Sequence, residues 1–203
     1  MENQLFKKII ITDAYSHIYK LIGLIITIGD AMGLRPAKCY RKLERPNTRV
    51  STKKPRRSYV KGVPGLRIHR FEAGESKKQF DTRILLSARK AVQIRHNALE
   101  AARIAAHKAL TKHVGEGNYF LKVLVYPHHV LRENPLATGA GADRFQTGMR
   151  KSFGRPISSA ARVREKQNIL EIRVNKEHLP GSRKAMKVAS AKLPTPCSIT
   201  LDN

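Results

Sequence analysis

The sequence predicts an α+β fold: a mixed or antiparallel sheet with two helices packed on it, entered through a basic, extended N-terminal segment. Three observations carry this expectation. Short apolar runs rich in β-branched and aromatic residues recur at 80–87 (FDTRILLS), 119–126 (YFLKVLVY) and 168–174 (NILEIRV). Alanine-rich stretches around 89–114 and 180–193 repeat at helical spacing. Ahead of all of these, thirteen Lys and Arg between Arg35 and Arg70 face one acid, Glu44, in chain broken by Pro36, Pro46, Pro55 and Pro64.

Taken in order, residues 1–31 come first. They hold three lysines and three acids, so the whole formal charge of +25 lies in 32–203. The apolar run 21–28 (LIGLIITI) falls far short of the ~20 residues that span a bilayer. No A-x-A-like cleavage site follows it. The expectation is a short buried or disordered extension, or an upstream start chosen in error ahead of Met32. The basic segment 32–64 follows. It cannot bury enough apolar surface to fold alone, and its prolines forbid a long helix. It reads as chain that becomes ordered against a polyanion.

Residues 66–71 form the first strand candidate, with Leu66, Ile68 and Arg70 on one face and Arg67, His69 and Phe71 on the other. A polar turn at 74–78 leads to the strand at 80–87. The helix at 89–114 carries Ile94, Ala98, Ala102, Ala105 and Ala109 at helical spacing, widened by Leu99 and Leu110. Gly115 and Gly117 stop it, and Lys108, Lys112 and His113 suit its dipole. Arg89, Lys90, Arg95, His96 and Arg103 are expected on its exposed side. Pro127 ends the strand at 119–126. His128 and His129 follow, but adjacent imidazoles point apart on extended chain, so they make no metal pair. In the strand at 168–174, Ile169, Glu171 and Arg173 alternate with Leu170, Ile172 and Val174. The second helix, within 180–193, has Ala185, Val188, Ala189 and Lys192 on one side and Arg183, Lys184 and Lys187 on a basic one. A last short strand is expected at 197–201.

Composition narrows the partner. With 40 Lys+Arg against 15 Asp+Glu and a pI near 10.6, self-repulsion is relieved by a dense source of phosphate, and nucleic acid is the densest. The charge is spread through the chain and not gathered on one amphipathic helix, which argues against a membrane surface. With 203 residues and 41% hydrophobic content, one compact domain with basic extensions is expected. Two cysteines, Cys39 and Cys197, are too few for a disulfide framework and fit a reducing compartment. No Cys/His spacing resembles a zinc site, and neither a metal nor a cofactor is expected.

The stretch 132–156 (RENPLATGAGADRFQTGMRKSFGRP) mixes four glycines with Arg132, Arg144, Arg150, Lys151 and Arg155. As a nucleotide site it fails: the third dinucleotide-spaced glycine is replaced by Arg144, and no G-K-[ST] follows. A basic loop that reaches into RNA fits better than an ordinary flexible one. An enzyme would need convergent acids or a metal, and the twelve acids of 32–203 form no such cluster in sequence. No catalytic residue is assigned.

Several motifs carry a closer likeness. RPAKCYR at 35–41 and RSYVKGVPG at 57–65 resemble the opening of a universal large-subunit ribosomal protein family, number sixteen in the universal scheme, in its archaeal and eukaryotic branch (ten-e in older naming). VQIRHNALEAAR at 92–103 is similar to that family's first helix. HVLREN at 129–134, GADR at 141–144 and GMR at 148–150 are similar to its central loop. The likeness covers about 32–200, and its motifs stand in the family's order, which a free RNA chaperone of similar charge would not share. Residues 1–31 have no counterpart in it.

This resemblance implies a β-hammerhead arrangement, a cytoplasmic place in the large ribosomal subunit, and contact with large-subunit rRNA near the peptidyl-transferase centre and the A site. It implies neighbouring ribosomal proteins as partners, no membrane and no homo-oligomer. The expected rRNA-binding residues are Arg35, Lys38, Tyr40, Arg41, Lys53, Lys54, Arg56, Arg57, Tyr59, Lys61, Arg95 and Arg103. Tyr40 and Tyr59 would stack on unpaired bases. Facing tRNA or rRNA from the central loop would be Arg132, Arg144, Gln146, Arg150, Lys151 and Arg155. Pro135-Leu136 and Lys151-Ser152 depart from the family's loop pattern.

Overall fold

The computed structural model describes residues 35–43, 53–58, 60, 62–134 and 148–202. The chain divides after Pro36, and every element below belongs to the unit Ala37–Asn203. Its order is β1 (Glu72–Gly74), β2 (Thr82–Ala88), β3 (Val92–Arg95), α1 (His96–His113), β4 (Tyr119–Val123), β5 (His129–Glu133), β6 (Arg155–Val163), β7 (Asn168–Val174), α2 (Leu179–Ser190) and β8 (Cys197–Asp202). The strands make two antiparallel sheets. One has five strands in the order β1-β4-β7-β2-β8, and the other has three in the order β3-β6-β5. The α+β expectation, with two helices, holds.

The five-stranded sheet is built on β7. Ile172 stands between Leu121 of β4 and Ile84 of β2, and Leu170 between Val123 and Leu86. Side chains alternate across a pleated strand, so these residues share a face. All are buried in one core with Leu99, Ala102, Ala106 and Leu110 of α1 and Ala185, Met186 and Ala189 of α2. Each large aliphatic so buried contributes roughly 1.5–3 kcal/mol. The alanines leave room for the two helices to approach each other. Gly115, at φ +88°, ends α1 as expected. A hydroxyl adds a link between layers: Tyr119 of β4, 1% exposed, places its OH 2.7 Å from His107 Nδ1 and 3.1 Å from Thr111 Oγ1, both on α1.

The other face of β7 carries a buried acid. Glu171, 1% exposed, meets Arg83 Nη2 at 3.0 Å and Arg173 Nε at 2.6 Å. Burial pushes its carboxyl up. The hydrogen bonds and charges of Arg173 and Arg83 outweigh that and hold it below the ordinary carboxylate range.

Four sequence expectations are corrected. The first strand is β1 at Glu72–Gly74, not 66–71; only Phe71 of that stretch joins the ladder, its carbonyl accepting from Val123 N–H at 2.8 Å. The first helix begins at His96, because Val92–Arg95 pair with Val163–Ala160 as a strand. His96 is accordingly buried, not exposed. On α2 the buried side is Ser182, Ala185, Met186 and Ala189, while Val188 is 45% exposed. Finally, the three-stranded sheet was not anticipated, and its strands β5 and β6 bound the glycine-rich loop.

Candidate nucleic-acid interface

The basic N-terminal segment is tied down, in part, without any RNA. A single 3-10 turn, Ala37–Cys39, closes with Tyr40 N–H on Ala37 O at 3.1 Å. Next, Gln93 of β3 donates its backbone N–H to Arg41 O at 3.0 Å, and its side-chain amide to Tyr40 O and Lys42 O. Gln93 thus acts as a clasp and is itself only 4% exposed. The Tyr40 hydroxyl donates to Glu133 Oε2 of β5 at 3.0 Å, and the Arg95 guanidinium of β3 lies 5.8 Å from its ring centre. Tyr40 therefore pegs the N-terminal strap to the sheet through its hydroxyl and is half-buried. Lys38 and Arg41 project from this strap into solvent, and Arg35, Lys53, Lys54, Arg56 and Arg57 are likewise exposed. Arg57 N–H closes a second turn onto Lys54 O at 2.9 Å.

Beside the strap a cavity of about 370 Å³ is lined by Arg41, Gln93, Arg95, Asn97 and Lys192, among others. Among the described residues, its lining includes no acid. Arg95 contributes a cation to this lining from a strand, and not from the helix on which the sequence placed it. Asn97 and Lys192 are additions that a single sequence does not reveal, since they meet only through the fold.

Arg103 is held within its own helix. Glu100, one helical turn earlier, holds it through two contacts, Nε to Oε2 at 2.9 Å and Nη2 to Oε1 at 2.6 Å. Its side chain is 14% exposed. The hydrogen bond to Glu100 raises the Arg103 pKa against the opposing effect of burial. This guanidinium is paired within α1, unlike the exposed cations of the N-terminal segment.

The segment joining the basic region to the sheet is fixed by Ile68, which is buried in the core, and by His96. Arg67 N–H donates to His96 Nδ1 at 3.0 Å. An accepting Nδ1 requires a deprotonated nitrogen there, and burial first, then the charges of Arg67 and Arg95, push the His96 pKa down. A lowered imidazole pKa means the unfolded chain takes up the proton first on acidification, so stability is lost as pH falls below the ordinary value of 6.5. Urea-unfolding midpoints are expected to drop between about pH 7 and pH 5, and His96→Asn to flatten that slope. An unchanged slope in the variant would show that other groups set it.

The base of the glycine-rich loop is clamped. Arg132 stacks its guanidinium 3.6 Å from the Phe153 ring centre and donates through Nη1 to Phe153 O at 2.7 Å. Glu133 pairs with Arg155 and Arg132 with Pro156 in the ladder of β5 and β6. Gly154, at φ +79°, sits so close that a Cβ there would lie 2.6 Å from Glu133 C and 2.9 Å from Asn134 N. Arg132 therefore closes the root of the loop against Phe153. Arg150, in the turn Gly148–Lys151, and Arg155 are exposed. Tyr59, Lys61, Arg144, Gln146 and the side chain of Lys151 lie outside the described residues. Phe153 and Gly154 shape the site and carry no charge; the signals for them in the sequence are the glycine itself and an aromatic among arginines. Among the described residues, no group of three or more His, Cys, Asp or Glu is placed to hold a metal ion. None of the described helices is long and apolar enough to cross a membrane.

An exposed cationic strap and a basic loop held at its root define a class, that of a domain built to lie against a polyanion. Comparison with known sequences gives the family. A profile of the family described as Ribosomal protein L16p/L10e matches residues 47–200, and the chain belongs to that family. It is 49% identical over 168 residues to large ribosomal subunit protein uL16 of Staphylothermus marinus, covering 83% of this chain and 93% of that one. It is 43% identical over 171 residues to its counterpart in Archaeoglobus fulgidus, covering 84% and 94%. The counterpart in Metallosphaera sedula is 48% identical over 172 residues, covering 84% and 95%.

Proposed function

We propose that this chain is a structural constituent of the large ribosomal subunit, and not an enzyme, and that it binds large-subunit rRNA near the peptidyl-transferase centre and the A site and helps position tRNA. Its place is the cytoplasmic ribosome, with rRNA and neighbouring ribosomal proteins as partners. Family membership over residues 47–200 carries the first part. The resemblance of the loop motifs, with the clamp at the loop's root, supports the tRNA part. In this reading 32–203 is one rRNA-binding domain. The strap and the turn at 55–57 present Lys38, Arg41, Lys53, Lys54, Arg56 and Arg57 to phosphates, and Arg35 adds a cation just before them in sequence. Each duplex-type contact releases condensed counterions, so affinity falls by roughly 0.9 log units per log unit of salt. Tyr59 stacks on unpaired bases, Lys61 adds a further cation to that segment, and Arg144, Gln146, Arg150, Lys151 and Arg155 face tRNA or rRNA from the loop.

Sucrose-gradient sedimentation tests the assignment: the chain is expected in large subunits and whole ribosomes, and confinement to light fractions would overturn it. The loop has its own test. The double variant Arg144→Ala with Arg150→Ala is expected to keep the folded domain and slow translation, and normal rates with normal tRNA occupancy would refute a tRNA-facing role.

A further inference from the structure

Among the described residues, the phenylalanines and tyrosines that reach the surface are mostly paired with a cation. Lys78 lies 5.9 Å from the Phe80 ring centre, Arg95 5.8 Å from Tyr40, and Arg132 3.6 Å from Phe153. One group is different. Phe71 stacks on Tyr126 at 5.3 Å with an interplanar angle of 21°, and His128 lies over Tyr126 at 4.4 Å and 42°. Among the described residues, no Lys or Arg lies over any ring of this trio. Tyr126 is 46% exposed, and His128 is exposed as well.

The trio is held in place by backbone. Phe71 O accepts from Val123 N–H at 2.8 Å, which sets its ring beside the end of β4. Pro127 is buried between the two exposed rings, and His128 N–H closes onto Tyr126 O at 3.0 Å. These constraints fix two exposed aromatic faces before any partner arrives, so little ordering remains for binding to impose. Exposed His69 and Arg70 precede Phe71, and the neighbouring acid Glu72 is engaged by Lys122 Nζ at 2.7 Å.

We infer that the Phe71–Tyr126–His128 column is a stacking platform for an unpaired nucleobase of the large-subunit rRNA. The inference rests on the proposed rRNA-binding function and adds a site that lies outside both the basic strap and the glycine-rich loop. A π-face without a cation, on a chain of formal charge +25, is matched by the uncharged face of a base whose own phosphates answer the surrounding charge. A cationic side chain of a neighbouring protein would meet that same positive field unfavourably. Stacking of one base on such a ring is worth about 5- to 150-fold in affinity, enough to hold an unpaired nucleotide still.

The test is 2′-hydroxyl acylation profiling of rRNA in large subunits assembled with the full-length chain. In His128→Ala, a change at an exposed residue, and in Tyr126→Ala, a severalfold rise in reactivity is expected, confined to one short unpaired stretch. His128→Phe keeps a ring and is expected to leave the profile as in the native chain. An unchanged profile in subunits that contain the alanine variants would overturn the platform while leaving the ribosomal assignment intact. Absence of the native chain from large subunits would overturn both. A cross-link from position 128 to protein and not to RNA would assign the column to a protein neighbour and refute the inference.

Discussion

Gly154→Val is expected to destabilise the domain by about 2–5 kcal/mol and to open the root of the glycine-rich loop. The left-handed backbone there costs roughly 1–2 kcal/mol for any residue with a Cβ, and a β-branched one is among the worst suited. The clash adds about 1–3 kcal/mol, because the atoms in the way are backbone of Glu133 and Asn134, at 2.6–2.9 Å from where the Cβ would stand. Backbone cannot swing aside as a side chain can. The strands β5 and β6 must separate, which pulls Arg132 from Phe153. For a domain of this size the shift in Tm is roughly 5–15 °C. Thermal unfolding measures the first effect, and faster proteolysis within 135–147 measures the second. A variant with native Tm and native cleavage rate would show that the loop root tolerates separation.

The second large effect is expected at Tyr119. Truncation to alanine removes a large, fully buried side chain that joins β4 to α1 and is expected to cost about 3–5 kcal/mol. Tyr119→Phe separates the parts of that loss. It keeps the ring but leaves His107 Nδ1 and Thr111 Oγ1 without the hydroxyl, at about 1–2 kcal/mol. Denaturant midpoints of the two variants give the division. Equal losses would mean that the hydroxyl network, and not ring packing, holds the helix to the sheet. The Phe variant is expected to enter ribosomes and the Ala variant to be depleted from them, since an unfolded chain is removed before assembly.

The five-stranded sheet was largely legible and the three-stranded one was not. Strands β2, β4 and β7 are apolar runs with β-branched and aromatic residues, and an element of that kind announces itself. Strand β6 does the opposite. Its middle is Ser158-Ser159-Ala160-Ala161, buried because β3 and β5 flank it on both sides, and small polar residues carry no strand signal. Strand β3 is four residues directly abutting α1, so Ile94 fell into register with Ala98 and the helical period absorbed it. The site divides similarly. Exposure of Lys38, Arg41, Arg56, Arg57, Arg150 and Arg155 follows from charge alone. The commitment of Arg103 was readable, since Glu100 stands three residues before it. The bond from Tyr40 to Glu133 joins residues 93 apart in sequence and was beyond local pattern.

The strap formed by residues 40–42 has a consequence for the chain before it meets RNA. Strand β3 lies on the outside of its sheet, and an outer strand with free N–H and C=O groups invites a second chain to add itself there. With Arg41 O taking the Gln93 N–H, and the Gln93 side chain holding Tyr40 O and Lys42 O, part of that margin is already occupied by the chain's own backbone. The same few residues that hold exposed cations thus cover part of an edge at which a second chain could otherwise add.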